Sequence, residues 1–159
     1  MNKVNTDTIL EISWSSPGGR FAGSGKEVSE ALGRVPDSTD LCERHPFDVE
    51  ICRIPPGKSN YPFHSHSAQW EFYHVISGEG VVRDDEGNTG VVAGDAFMFK
   101  PGEAHQISNP GEEELVLYVI ADNPIGESYY YPDSQKWGVP LPERRYIRGG
   151  ALDYYDGEE

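Results

Sequence analysis

Short segments rich in apolar residues follow one another through the middle of the chain. They span residues 47–54, 69–76, 80–84, 89–93, 96–100 and 115–121. Turn-forming stretches such as PPG, SGEG and NPGEEE separate them. Strands of this length, with no helical runs between them, predict an all-β sandwich or barrel. The last segment, LVLYVIA, is apolar at successive positions, which predicts a strand covered on both faces.

The two ends of the chain carry a different pattern. The N-terminal part contains one segment, KEVSEALGR (26–34), for which we predict a helix. The C-terminal part is rich in proline, tyrosine, arginine and acidic residues and has no clear period. We expect a single domain over residues 1–159, with a barrel core at 47–122, an N-terminal arm at 1–46 and a C-terminal arm at 123–159.

The C-terminal arm is expected to be extended and to pack on the barrel or on a partner subunit. It contains the segment YYYPDSQKW. We interpret its aromatic residues, Tyr129, Tyr130, Tyr131 and Trp137, as packing anchors of the arm rather than as ligand contacts.

Length and charge limit the classes of partner. A chain of 159 residues is long enough to bury a sizeable core. Its net charge of −14 repels phosphate backbones and anionic membrane surfaces, so we expect no nucleic-acid partner and no membrane partner. The longest apolar run is too short to cross a bilayer, and the first residues lack the features of a signal peptide. We therefore expect a cytoplasmic protein.

The segment HSHSAQWEF (64–72) contains the strongest chemical signal. On an extended backbone the side chains of His64 and His66 point to the same side. Glu71 follows across a short turn, and His105 comes after a later turn in KPGEAHQISN. A single histidine near a strand is more often hydrogen-bonded or solvated than a ligand, but this combination favours a metal site. Three imidazoles and one carboxylate suit one divalent transition metal: Fe, Mn, Zn, Ni, Co or Cu.

The two remaining histidines do not fit this pattern. His74 has the opposite strand parity to Glu71, so its side chain is expected to face away from the site. His45 precedes the barrel core. We interpret both as structural.

The chain resembles the cupin superfamily at two motifs. The first cupin motif, G-x5-HxH-x4-E-x6-G, matches Gly57, His64, His66, Glu71 and Gly78, with one extra residue before His64. The second motif, G-x5-PxG-x2-H-x3-N, matches Gly94, Gly102, His105 and Asn109, with the proline one place late at 101. Both departures lie in turns. The resemblance covers about half of the chain. It implies a small double-stranded β-helix barrel, a metal held by His64, His66, Glu71 and His105, and a homodimer formed through the arms.

Further residues are candidates for the surroundings of the metal. Tyr73 shares the parity of Glu71 and is the candidate catalytic residue. Phe97 and Phe99 could form a wall of the pocket, and Arg53 is a candidate partner for an anion.

The sequence leaves several functions open. The first is a metal-dependent enzyme acting on a small polar molecule by oxygenase-type or isomerase-type chemistry. The second is a non-catalytic, metal-dependent binding protein for a small, sugar-like molecule, and the third is a barrel in which the ion is structural. A sugar-phosphate-isomerase-like protein is a further alternative, which the acidic composition disfavours.

Overall fold

Strands dominate the part of the chain that the structure describes. This structure is a computed structural model and describes residues 1–140, 143–150, 152 and 154–157. The strands are β1 (Ile12–Ser15), β2 (Ala22–Glu27), β3 (Phe47–Ile54), β4 (Lys58–Ser59), β5 (Ser65–His66), β6 (Glu71–Ser77), β7 (Glu79–Arg83), β8 (Asn88–Val92), β9 (Ala96–Phe99), β10 (Gln106–Asn109), β11 (Leu115–Asp122), β12 (Tyr129–Tyr131), β13 (Lys136–Val139) and β14 (Arg145–Ile147). Two one-turn helices, α1 (Val28–Ala31) and α2 (Leu41–Arg44), and two 3-10 turns, Thr6–Thr8 and Pro132–Ser134, accompany them. None of the helices described is long and apolar enough to span a membrane.

The strands form three antiparallel sheets. A six-stranded sheet has the order β1-β2-β3-β11-β6-β9, and a four-stranded sheet has the order β4-β10-β7-β8. These two sheets share one hydrophobic core, to which the first contributes Cys52, Val75 and Leu117 and the second contributes Val82 and Ile107. The predicted all-β barrel is therefore confirmed.

The third sheet joins the C-terminal arm to the barrel. Its order is β14-β13-β12-β5, and β5 carries His66. The arm strand β12 pairs with β5 so that Tyr129 lies opposite His66 and Tyr130 lies opposite Ser65. As a result, residues more than 60 positions after the histidine pair lie beside it.

The predicted helix at 26–34 is mostly wrong. Lys26 and Glu27 belong to β2 and pair with Ile51 and Glu50 of β3, so only the four residues of α1 are helical. The ladder to β3 supplies more backbone hydrogen bonds than a short helix without a side-chain N-cap could provide. Strand β11 follows the predicted segment closely, but only its first three residues are buried, and the others are half-buried.

Candidate metal centre

The histidine pair is held in place by backbone pairing with the loop that carries His105. The N–H of His64 donates to the carbonyl oxygen of His105 at 3.1 Å, and the N–H of His105 donates to that of His64 at 2.8 Å. The N–H of Gly102 donates to the carbonyl oxygen of His66 at 2.8 Å. Gly102 has φ +88°, which glycine adopts without the strain that a side chain would add. The turn before His105 therefore brings the third imidazole to the pair.

Three of the four side chains that the sequence pattern predicts as ligands, His64, His66 and Glu71, lie close together, and His105 contacts Glu71. Nε2 of His64 lies 3.1 Å from Nε2 of His66, which confirms that these two side chains point the same way. Oε2 of Glu71 lies 3.3 Å from Nε2 of His66 and 2.8 Å from Nε2 of His105. Ligand atoms of His64, His66 and Glu71 all lie within 4.8 Å of one another, and these three residues could hold a metal ion.

The hydrogen bonds around this cluster leave ligand atoms free. Nδ1 of His64 is 2.8 Å from the carbonyl oxygen of Pro62, and Nδ1 of His105 is 3.3 Å from that of Glu103. Each contact favours the proton on Nδ1, which leaves the Nε2 lone pair directed at the cluster. Oε2 of Glu71 is buried without an aligned hydrogen-bond donor, although Nε2 of His105 is close to it. A buried acceptor beside imidazole lone pairs fits a bound cation.

Burial and neighbouring charges set the protonation of the cluster. Burial lowers the pKa of His64 to about 4, with a further contribution from His105, so this imidazole is neutral at pH 7. Burial alone would raise the pKa of Glu71, but the imidazoles of His105 and His66 outweigh it and lower the pKa well below its usual value. His64 and Glu71 are therefore in the protonation states in which an imidazole and a carboxylate bind metals.

Aromatic rings surround the cluster on the barrel side. The hydroxyl of Tyr73, the candidate catalytic residue, is buried 3.5 Å from Nε2 of His105. Tyr73 stacks on Phe97 with ring centroids 5.3 Å apart, and Phe99 stacks on His105 at 4.0 Å. Phe99 thus packs directly on one of the candidate ligands and Phe97 packs behind Tyr73, but neither lines the cavity beside His64 and His66, so their role as a pocket wall stays a prediction.

Two other predictions have different outcomes. His74 is exposed on β6, so its side chain faces away from the cluster, as its parity predicts. Arg53 is not available to an anion in the barrel. Its guanidinium lies 2.8 Å from Oε2 of Glu114 and 3.7 Å from Oε2 of Glu11, because its parity on β3 is opposite to that of the buried Cys52 and Ile54.

A cavity of about 350 Å³ opens beside His64 and His66. The arm supplies much of its lining, because Tyr129 and Tyr131 alternate with Tyr130 along β12. Tyr131 stacks on His64 with centroids 6.0 Å apart, and Tyr129 packs edge-on against His66 at 5.2 Å. These two tyrosines therefore pack on the histidines and also line the cavity, so their interpretation as packing anchors rather than ligand contacts stays a prediction.

The other two aromatic residues of the arm pack as the sequence interpretation expected. The ring of Tyr130 packs on that of Trp137, with centroids 4.6 Å apart, so both residues act as anchors. The sequence did contain a signal for this difference. On a strand, side chains alternate between the two faces, so Tyr129 and Tyr131 are expected on one face and Tyr130 on the other.

Glu127 is an arm residue that sequence reasoning missed. Its carboxylate accepts hydrogen bonds from the N–H groups of Ser67 and Ala68 at 2.8 and 3.1 Å. Its Oε1 lies 3.7 Å from Nδ1 of His66. Burial lowers the pKa of His66, but Glu127 and Glu71 outweigh this effect and raise it to about 9. Glu127 therefore anchors the arm to the histidine strand and, without an ion, favours the protonated form of His66, which loses a proton when it binds a metal.

Comparison with known proteins agrees with this geometry. Residues 50–121 match the model of the cupin domain family, and this segment contains all four candidate ligands. The chain belongs to the cupin superfamily. Its barrel is accordingly a double-stranded β-helix, as the two motifs predicted.

Individual cupins resemble different parts of the chain. An oxalate-binding protein of Thermotoga maritima is 36% identical over 68 residues, which are 43% of this chain and 55% of that protein, so the match spans about half of that relative. The structure of a protein from Silicibacter pomeroyi, described as a sugar phosphate isomerase from a cupin superfamily, is 26% identical with a TM-score of 0.77, covering 96% of this chain and 97% of that one. A predicted oxalate decarboxylase from Thermotoga maritima has the same fold, with 22% identity, a TM-score of 0.62 and coverage of 77% and 99%.

Proposed function

We propose that this cupin binds one divalent transition metal through His64, His66, Glu71 and His105 and acts as an enzyme on a small polar molecule at that ion. The close approach of these side chains, two of which (His64 and His66) line an open cavity, carries the proposal. When bound, such an ion supplies Lewis acidity, an activated water or a site for O₂.

The residues of the chain have separable roles in this proposal. His64 and His66 line the cavity, so a ligand there would lie next to the ion. Tyr73 keeps its proton, because burial raises the pKa of its hydroxyl well above the usual value. Its hydroxyl is therefore a proton donor in the interior, next to His105. The aromatic lining limits access of water to this region.

A non-catalytic binding protein is the second candidate. Similarity to an oxalate-binding protein, 36% identical over 68 residues, favours a binding function. The matched length is close to that of the 50–121 cupin segment. The similarity over almost the whole chain to a protein described as a sugar phosphate isomerase favours isomerase chemistry instead. The single domain over 1–159, the homodimer and the cytoplasmic location remain predictions.

Metal content tests the proposal first. The purified protein should contain about one transition-metal ion per chain by mass spectrometry, and the double variant His64→Ala/His105→Ala should contain almost none. His74→Ala is the matched control, because it removes an exposed imidazole from β6 and should keep the ion. One metal ion per chain in a folded double variant would refute the proposed metal site.

Turnover separates an enzyme from a binding protein. If the bound ion is iron, O₂ uptake should be measured over a panel of diols, thiols and diketones, and phosphorylated sugars should be followed by NMR for isomerisation. Product formation that falls in Tyr73→Phe with unchanged metal content supports the enzyme and the role of Tyr73. Saturable ligand binding without any product supports the binding protein.

A further inference from the structure

Two positively charged side chains border the cavity beside the candidate metal centre. Lys136 from β13 and Arg144 from the segment before β14 line the same cavity as His64 and His66. The whole chain has 27 acidic residues and only 13 lysines and arginines. No acidic side chain among the described residues lines this cavity, so the two cations make its lining locally positive.

Many other cations of the chain are already paired. Arg83 forms two contacts of 2.8 Å with Asp133, Arg53 pairs with Glu114, and Arg145 pairs with Glu143. Within the part of the chain that the structure describes, no carboxylate lies at ion-pair distance from Lys136 or Arg144. Their charges are available to a ligand.

Aromatic rings hold Lys136 at the cavity, and tyrosines line the cavity beside Arg144. The ammonium of Lys136 lies 4.5 Å from the ring centroid of Tyr131 and 5.1 Å from that of Tyr146. Arg144 lines this cavity together with Tyr129 and Tyr131. Tyr131 also stacks on His64, so the cations and the metal centre share one wall.

We propose that Lys136 and Arg144 bind the anionic group of a small carboxylic acid or phosphate ester whose other end reaches the metal centre. This inference rests on the proposed function and names its substrate class. A cavity of about 350 Å³ lies at the small end of the range of ligand pockets, which suits a ligand of a few carbon atoms. Arginine and lysine are the side chains that pair most strongly with carboxylate and phosphate oxygens.

Both cations also have a possible structural role. Lys136 packs on two tyrosines, and Arg144 borders a second cavity, of about 210 Å³, that contains Glu127. A structural role predicts lower stability or altered metal content when either is replaced, whereas ligand binding predicts a change in affinity for anions alone.

Calorimetry on the metal-loaded protein distinguishes these roles. The probes are oxalate with its uncharged diamide oxamide, and glycerol 3-phosphate with glycerol. The variants are Lys136→Met and Arg144→Gln. Their matched controls are Lys100→Met and Arg145→Gln, which make the same change of net charge at exposed residues paired with Glu103 and Glu143.

The expected result is a selective loss of anion binding. At least one anion should bind more tightly than its neutral partner, and its Kd should rise about 10-fold or more in each cavity variant, while the controls, the metal content and the melting temperature stay unchanged. Preference for oxalate or for glycerol 3-phosphate identifies carboxylate or phosphate as the ligand chemistry.

Other results would overturn the inference without touching the metal site. These are equal losses in the control variants, unchanged affinity in both cavity variants, or no binding of either anion by the metal-loaded protein. A purified wild-type protein that binds no metal, by contrast, contradicts the proposed function itself.

Discussion

A half-buried glutamate makes the stability of this protein depend on pH. Glu50 lies on β3 with the parity of Cys52 and Ile54, both of which are fully buried. Its cross-strand neighbour on β2 is a second acid, Glu27. Burial, followed by the charges of Glu27 and Asp48, raises the pKa of Glu50 from 4.5 to about 8. The carboxyl group is thus mostly protonated in the folded protein at pH 7.

The sign of the effect follows from this shift. A pKa that is raised in the folded state stabilises the fold fully below the unfolded value of 4.5, and this contribution is lost as the pH rises to about 8. At about 1.4 kcal/mol per pH unit, that interval sets a ceiling of roughly 5 kcal/mol. Because Glu50 is half-buried and solvent screens part of the effect, we expect about 2–3 kcal/mol.

Glu50→Gln removes the titration while keeping the shape of the side chain. Urea unfolding of the metal-free protein at pH 5, 7 and 9 gives the free energy of unfolding of each form. The free energy of unfolding of the variant minus that of the wild type should rise by about 2–3 kcal/mol between pH 5 and pH 9. Above pH 9 this difference should change little. Glu86→Gln, at an exposed turn residue, is the control and should show almost no pH-dependent difference.

Two results would refute this reasoning. One is a difference between Glu50→Gln and wild type that is the same at pH 5 and pH 9. The other is a variant that becomes relatively less stable as the pH rises, which would mean that Glu50 is ionised and stabilising in the folded protein.

Three further predictions concern a turn, the arm and the ion. Gly78→Ala should lower the free energy of unfolding, measured in urea, by about 3 kcal/mol or more, because φ is +81° and a Cβ would collide with the backbone of Glu114. Gly102→Ala, at φ +88° with open space around the Cβ position, should lower it by about 1 kcal/mol. Glu127→Gln should speed amide hydrogen exchange in β12, since the charged anchor to Ser67 and Ala68 is weakened; unchanged exchange would contradict this role. Removing the ion with a chelator should lower the melting temperature of the wild type but not that of the His64→Ala/His105→Ala variant. If the free ion was at 100-fold its Kd before removal, the free energy of unfolding of the wild type falls by about 2.7 kcal/mol.

Local patterns in the sequence were sufficient for the barrel and for bringing His64, His66 and Glu71 close together. Strand β3 begins and ends where the apolar segment does, because alternation and flanking turns act over a few residues. His64 and His66 face the same way because an extended backbone has a period of two. The helix prediction at 26–34 failed for the opposite reason: Lys26 and Glu27 pair with a strand more than 20 residues away.

Only the tertiary structure decided what surrounds the candidate centre. The sequence determined the motif residues, the strand periods and an overall acidic charge, all of which are local or summed properties. It did not reveal that Glu127 reaches Ser67, that Tyr131 stacks on His64, or that Lys136 and Arg144 border the same cavity. These contacts depend on the docking of the arm strand β12 onto β5, across about 60 residues of chain, and no periodic pattern in either segment specifies that pairing. Net charge could not indicate this pair of cations either, since it is a sum over the chain and carries no information on which charges lie at one cavity.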